Sequence, residues 1–169
     1  MEALVALRDT LPSIKYKVGG DGDDRPRLES EVERLGLTSS VEFLGAIPES
    51  DLPAVYNACD IFILLSAFEL TGKIQGEGVP LVVLEAQACG KPVITSSLDG
   101  SAESIDDLQT GLLVDPNDLP AIVGAITQLR KPEIRASMGA AARSRSINVS
   151  SFEVFARELA ALALTFPSH

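Results

Sequence analysis

Histidine is almost missing from this sequence: the single one, His169, is the last residue. That excludes a histidine-based triad and most histidine-containing zinc sites. Cysteine is scarce too. Cys59 and Cys89 sit among alanine and apolar neighbours, with no Cys-x-x-Cys and no ligand spacing. Such residues read as buried reduced thiols, which suits a cytoplasmic protein. Bases are outnumbered, 14 against 24 acids, for a net charge of −10. A chain so short of Lys and Arg lacks the clusters that neutralise phosphate backbones, so no nucleic-acid partner is expected. Long apolar runs are also absent. Ile61–Leu65 and Leu159–Leu164 fall far below the ~18 residues that span a bilayer. Glu2, Arg8 and Asp9 interrupt the short apolar start, a pattern that predicts no secretory leader.

What is present is globular. The chain has 169 residues, 46% apolar and 22% charged, which predicts one domain with an appended helix. A domain near this size hides roughly 70% of its unfolded surface. The charge is uneven: residues 41–120 hold 13 acids and only two bases, Lys73 and Lys91, whereas residues 121–169 hold 6 bases and 3 acids. The acidic middle reads as a solvated face. So do the late helices bearing Arg135, Arg143 and Arg145, with contact to a lipid surface as the alternative.

Short apolar runs alternate with helix-length segments. Helices are predicted over Met1–Leu11, Arg25–Leu35, Ser50–Ala58, Pro80–Cys89, Asp118–Leu129, Pro132–Ser144 and Ser151–Leu164. Strands are predicted over Ile14–Gly19, Val41–Leu44, Ile61–Leu65, Pro92–Thr95 and Leu112–Val114. Asp24 is placed to cap the second helix, with Pro26 in its first turn. Several strands are apolar throughout, as in a parallel sheet covered on both faces. Repeated strand–helix units then imply a doubly wound, Rossmann-like α/β fold. Such sheets bind ligands beyond the carboxyl ends of their strands, which directs attention to the loops Gly19–Asp24, Gly45–Ser50, Ser66–Pro80 and Ser96–Ser101.

The most informative stretch runs from Gly76 to Glu85. A long loop after a buried strand delivers Glu77 and then Gly78. Pro80 suits the first helical position, because it needs no backbone donor there. The free amides of Leu81 and Val82 then point out of a helix N-terminus, a ready anion site. It needs no nearby base, and this region has almost none. Glu85 is polar within an otherwise apolar helix, and a carboxylate there either faces solvent or holds specific donors. Sugar or ribose hydroxyls are such donors; a solvated helix surface is the simpler alternative. Gly19-Gly20-Asp21-Gly22-Asp23 is weaker. It formally offers oxygens to a divalent ion, but a strand-to-helix turn explains it more simply. Ser66 has no partner of a nucleophile–base kind.

Taken in order, these pieces resemble the C-terminal domain of retaining GT-B glycosyltransferases of family 4, the group 1 glycosyl transferases. The matching residues are Val41-Glu42-Phe43-Leu44-Gly45 with Ile47-Pro48, then Tyr56-Asn57-Ala58 and Asp60. Next come Glu77-Gly78-Val79-Pro80 and the run Leu84 to Ile94, and last Thr110-Gly111-Leu112-Leu113-Val114. The likeness covers about Met1 to Arg145, so residues 1–145 are read as a nucleotide-sugar donor-binding domain. Residues 146–169 are read as a helix packing on it or on an absent N-terminal domain. The wording Glu85-Ala86-Gln87-Ala88-Cys89-Gly90 is similar to that of phosphatidylinositol-mannoside mannosyltransferases.

The resemblance implies that Glu77, as the catalytic residue, contacts donor-sugar hydroxyls and that Glu85 contacts the ribose. It implies that Gly78 and Val79 line the sugar pocket, with Pro80 opening the helix whose Leu81 and Val82 amides hold the diphosphate. The backbone near Ile47 would meet the nucleobase. It implies a hexosyl transfer that retains anomeric configuration and needs no metal or other cofactor. The family's domain normally opens with a strand carrying an Arg and a Lys, and an acceptor-binding domain precedes it; this sequence starts in the following helix. The expectation is therefore weak donor binding and no transfer by this chain alone, with peripheral membrane contact confined to a fuller protein. Rival readings are a non-catalytic scaffold built on the same fold, a sugar-nucleotide epimerase-like domain, and a nicotinamide dehydrogenase. The last lacks a Gly-x-Gly-x-x-Gly at a first strand–helix turn.

Overall fold

The computed structural model describes residues 1–66, 78–151, 153, 154, 156 and 157. Five short strands carry the architecture. β1 (Tyr16–Gly19) pairs in parallel with β2 (Val41–Gly45), setting Tyr16 opposite Val41 and Val18 opposite Phe43. β3 (Phe62–Leu64), β4 (Val93–Ser96) and β5 (Gly111–Val114) form a second parallel sheet in that order. All four residues of β4 are buried, the polar Thr95 and Ser96 included, as in a strand covered on both faces. The strands thus make two parallel sheets instead of one continuous sheet. Among the described residues no ladder joins β1 to β3.

Helices supply the crossovers. α1 (Glu2–Leu7) comes first and spans the join: Leu4 is buried with Val32 and Leu37, whereas Leu7 is buried with Ile94 and Leu112. α2 (Arg25–Arg34) links β1 to β2. A 3-10 turn (Glu49–Asp51) and α3 (Leu52–Ala58) link β2 to β3, and α4 (Leu81–Ala88) precedes β4. A second 3-10 turn (Gly100–Ser104) lies between β4 and β5, and α5 (Leu119–Leu129) and α6 (Pro132–Val149) follow. The larger core gathers Ile94, Leu112, Val114, Ile122, Ile126, Leu129 and Met138 between the second sheet and α5 and α6.

Three local expectations are corrected. Pro80 is the N-cap of α4 with extended backbone (φ −75°, ψ 124°), so Leu81 is the first helical residue. Asp24 stands at the N-cap of α2 as expected but makes no side-chain cap bond; its carboxylate accepts from Arg27 at 2.7 Å and is held below the usual carboxylate range by that bond. The expected end of the sixth helix at Ser144 is too early, for α6 runs on to Val149, across the 145/146 boundary. Arg145 explains part of this: it reaches the Ser104 and Glu103 carbonyls at 2.9 and 3.1 Å and pairs with Asp106 at 3.2 Å. The helix expected at Ser151–Leu164 lies largely outside the described residues. No described helix is long and apolar enough to cross a membrane.

Candidate functional site

All five strands being parallel within their sheets, the loops that follow them open at the carboxyl ends, and α4 starts at one of those loops. Among the described residues nothing closes its first turn. Pro80 offers no side-chain cap and is itself buried, and Val83 donates back to the Pro80 carbonyl at 3.1 Å. Leu81 and Val82 are in the first turn, where the helix has no acceptor for their amides. Their side chains are 71% and 39% exposed, and Val79 is 49% exposed. Among the described residues an apolar lip therefore flanks a patch of partial positive charge made of backbone amides. Gly78 is exposed beside it. Glu77 lies outside the described residues.

Glu85 stands four residues after Leu81 and three after Val82, so it shares their helix face. The Cα–Cβ bond of a helical residue tilts toward the N-terminus. The base of the Glu85 side chain therefore leans toward the first turn, whose amides lie about 6 Å away along the axis. Glu85 is half-buried and not merely solvated. The Tyr56 hydroxyl, from α3, donates to Glu85 Oε2 at 2.7 Å. Tyr56 is buried, with its ring edge-on to Phe62 at 5.6 Å between centroids. Burial first, then the hydrogen bond to Glu85, pushes the Tyr56 phenol well above its ordinary value, so it stays a donor. Nothing in the sequence announces this pair, whose members are 29 residues apart.

A third polar side chain was also not foreseen. Gln87 is fully buried under the second 3-10 turn, and its amide donates to the Ser104 carbonyl at 2.6 Å. Its place on the apolar run of α4, like that of Glu85, was the available signal. The far end of α4 is closed: Gly90 takes φ +70°, and Arg143 Nη1 donates to the Ala88 carbonyl. A cation at a C-terminus complements the helix dipole. Lys91 Nζ donates to the Asn57 carbonyl at 3.0 Å, a second tie between the α3 and α4 regions.

Ile47 belongs to the loop after β2 and reaches the turn after β1. A Cβ on Gly19 would meet Ile47 Cδ1 at 2.8 Å, so a larger residue there would push the end of the Ile47 side chain aside. Gly20 (φ +112°) donates to the Gly45 carbonyl at 2.9 Å, fastening the two loops. A cleft of about 240 Å³ opens there, lined by Val18, Gly20, Asp21, Arg25 and Phe43 among others. Arg25 lies over the Phe43 ring at 5.8 Å and bonds Glu29 at 2.8 Å. The Asp21 carboxylate accepts the Gly22 amide at 3.0 Å and faces Arg25 at 3.8 Å. Among the described residues no three acidic, histidine or cysteine side chains gather as a metal site would need. The site residues thus fall into two groups: the head of α4 with Glu85, and the Ile47 loop against β1.

Comparison with known proteins gives the family and the fold. The family described as "Glycosyl transferases group 1" matches residues 1–145. A GDP-mannose-dependent alpha-(1-6)-phosphatidylinositol monomannoside mannosyltransferase of Mycolicibacterium smegmatis is 34% identical over 144 residues, covering 85% of this chain and 37% of that protein. Sucrose-phosphate synthase from Thermosynechococcus elongatus superposes with a TM-score of 0.77 at 30% identity, over 96% of this chain and 41% of that one. Anabaena HepE, solved with UDP-glucose, shares the fold at a TM-score of 0.81 and 23% identity, over 98% of this chain and 45% of that one. The chain spans less than half the length of each of these three proteins.

Proposed function

The chain belongs to the group 1 glycosyl transferases, and from that premise we propose that these 169 residues hold the nucleoside diphosphate sugar of a retaining hexosyl transfer. The observation that carries the reading is the head of α4: first-turn amides at Leu81 and Val82 that no described residue accepts, with Glu85 one turn behind on the same face. Backbone amides suit the diphosphate, which develops charge as it leaves; positioned donors and a helix N-terminus stabilise such charge. Glu85 suits the ribose hydroxyls, and Val79 and Gly78 the sugar. The Ile47 loop and the neighbouring cleft suit the base. In this reading Glu77 meets the sugar hydroxyls, and no metal is required.

Two comparisons support the ligand class. HepE was solved with UDP-glucose, and the mycobacterial relative is named for GDP-mannose dependence. Donor holding is the role proposed for this chain, which spans less than half the length of these relatives. The test is calorimetric titration with UDP, GDP and the corresponding monophosphates. Diphosphates should bind more tightly than monophosphates by about tenfold, as expected for added hydrogen bonds to a charged group. Glu85→Ala should weaken diphosphate binding by a similar factor. Equal affinity for UDP and UMP and for GDP and GMP, or an unchanged Glu85→Ala variant, would refute the assignment.

A further inference from the structure

Glu85 reaches the proposed ribose position with one oxygen already engaged. Its Oε2 accepts from Tyr56 at 2.7 Å, and Tyr56 is fixed in its turn. The ring is buried against Phe62, Val83, Ala86 and Val93, in the small core between α3, α4 and β4. The Tyr56 carbonyl accepts the Cys59 amide at 3.2 Å and the Cys59 thiol at 3.1 Å. The phenol therefore projects from a packed, hydrogen-bonded turn and not from a loose surface helix. A carboxylate has two oxygens and about four acceptor positions. Holding Oε2 restrains the orientation of the group, because the short O–H···O⁻ bond is directional and charge-assisted. It leaves Oε1 and the second lone pair of Oε2 for two vicinal hydroxyls.

We propose that Tyr56 is a positioning residue for ribose recognition: it orients the Glu85 carboxylate so that both oxygens meet a ribose diol. Tyr56 touches no donor atom itself; it acts through Glu85. The inference rests on the reading of Glu85 as the ribose contact, and the experiment separates the two. Affinities of the 169-residue chain for UDP and GDP are compared with those for 2′-deoxy-UDP and 2′-deoxy-GDP. The measured quantity is the ratio of deoxy to ribo dissociation constants, in the wild type, Tyr56→Phe, Glu85→Gln and the double variant. Phenylalanine keeps the packing and removes only the hydroxyl, and circular dichroism checks that each variant folds.

The wild type should prefer the ribonucleotide by about tenfold. Glu85→Gln should bring the ratio close to one, Tyr56→Phe should cut it by about threefold or more, and the double variant should match Glu85→Gln. A general packing defect would weaken both nucleotides alike and leave the ratio untouched. If Glu85→Gln collapses the ratio and Tyr56→Phe does not, the positioning role is wrong and the ribose contact stands. If Glu85→Gln leaves the ratio unchanged, or the wild type binds neither nucleotide at millimolar concentration, the ribose reading fails and takes the inference with it.

Discussion

Replacing Gly139 with alanine should destabilise the chain by about 2 kcal/mol or more, although an extra methyl in a helix interior ordinarily helps by up to ~1 kcal/mol. Gly139 lies buried in α6 against the end of α4. A Cβ built there falls well inside contact of the Gly90 carbonyl oxygen, and lies 3.2 Å from the Gly90 carbonyl carbon and 3.5 Å from Pro92 Cδ. These obstacles are backbone and a rigid ring, so no side chain can swing aside. Gly90 cannot yield easily either, because its φ of +70° belongs to the turn that ends α4. Relief must come from moving α6 off α4, which also loosens the Arg143 contact to the Ala88 carbonyl. Gly124 provides the control. It lies exposed within α5, with nothing within 4 Å of an added Cβ. Gly124→Ala should therefore stabilise by about 0.5–1 kcal/mol. Urea denaturation of the two variants should move midpoints in opposite directions. A Gly139→Ala midpoint at or above the wild type would show that the α4–α6 approach is looser than described.

The second large effect is functional. Leu81→Pro should cut diphosphate affinity roughly 10- to 100-fold, the equivalent of losing a hydrogen bond to a charged group. Stability should change by less than about 0.5 kcal/mol. Leu81 is the first helical residue, where proline is tolerated. The preceding Pro80 already has ψ 124°, the extended backbone that a residue before proline prefers. The leucine side chain is 71% exposed, so little burial is lost. What the substitution removes is one amide donor at the head of α4. Leu81→Ala trims the same side chain and keeps the amide, and it should bind nearly as the wild type does. Titration with UDP and GDP compares the two; equal losses in both variants would locate the effect in the side chain instead.

The family and the strand–helix alternation were legible in the residues because they rest on local patterns. Apolar strands were expected to be buried on both faces: β4 is buried throughout, whereas the apolar run Ile61–Leu65 is only half-buried. Glycine after the apolar run of α4 read as its end, and Gly90 has the positive φ that a helix end favours. Pairings across distance were not legible. The Tyr56 hydroxyl on Glu85 joins two helices through tertiary packing that no spacing rule encodes. Arg145 extends α6 because the carbonyls it meets at Glu103 and Ser104 lie on a different turn. Asp24 misled for a local reason: Arg27 sits three residues on and takes the carboxylate that would have capped α2. The division into two sheets was likewise invisible, because each strand reads alike whether its outer edge is paired or not.

Donor recognition at the head of α4 is tested most directly by amide NMR. The labelled chain is titrated with UDP, GDP and their sugar conjugates. The account predicts saturable shifts that are largest at Leu81 and Val82, with a second group at Ile47. Saturable shifts confined to other surfaces, or none at millimolar ligand in a folded sample, would contradict it.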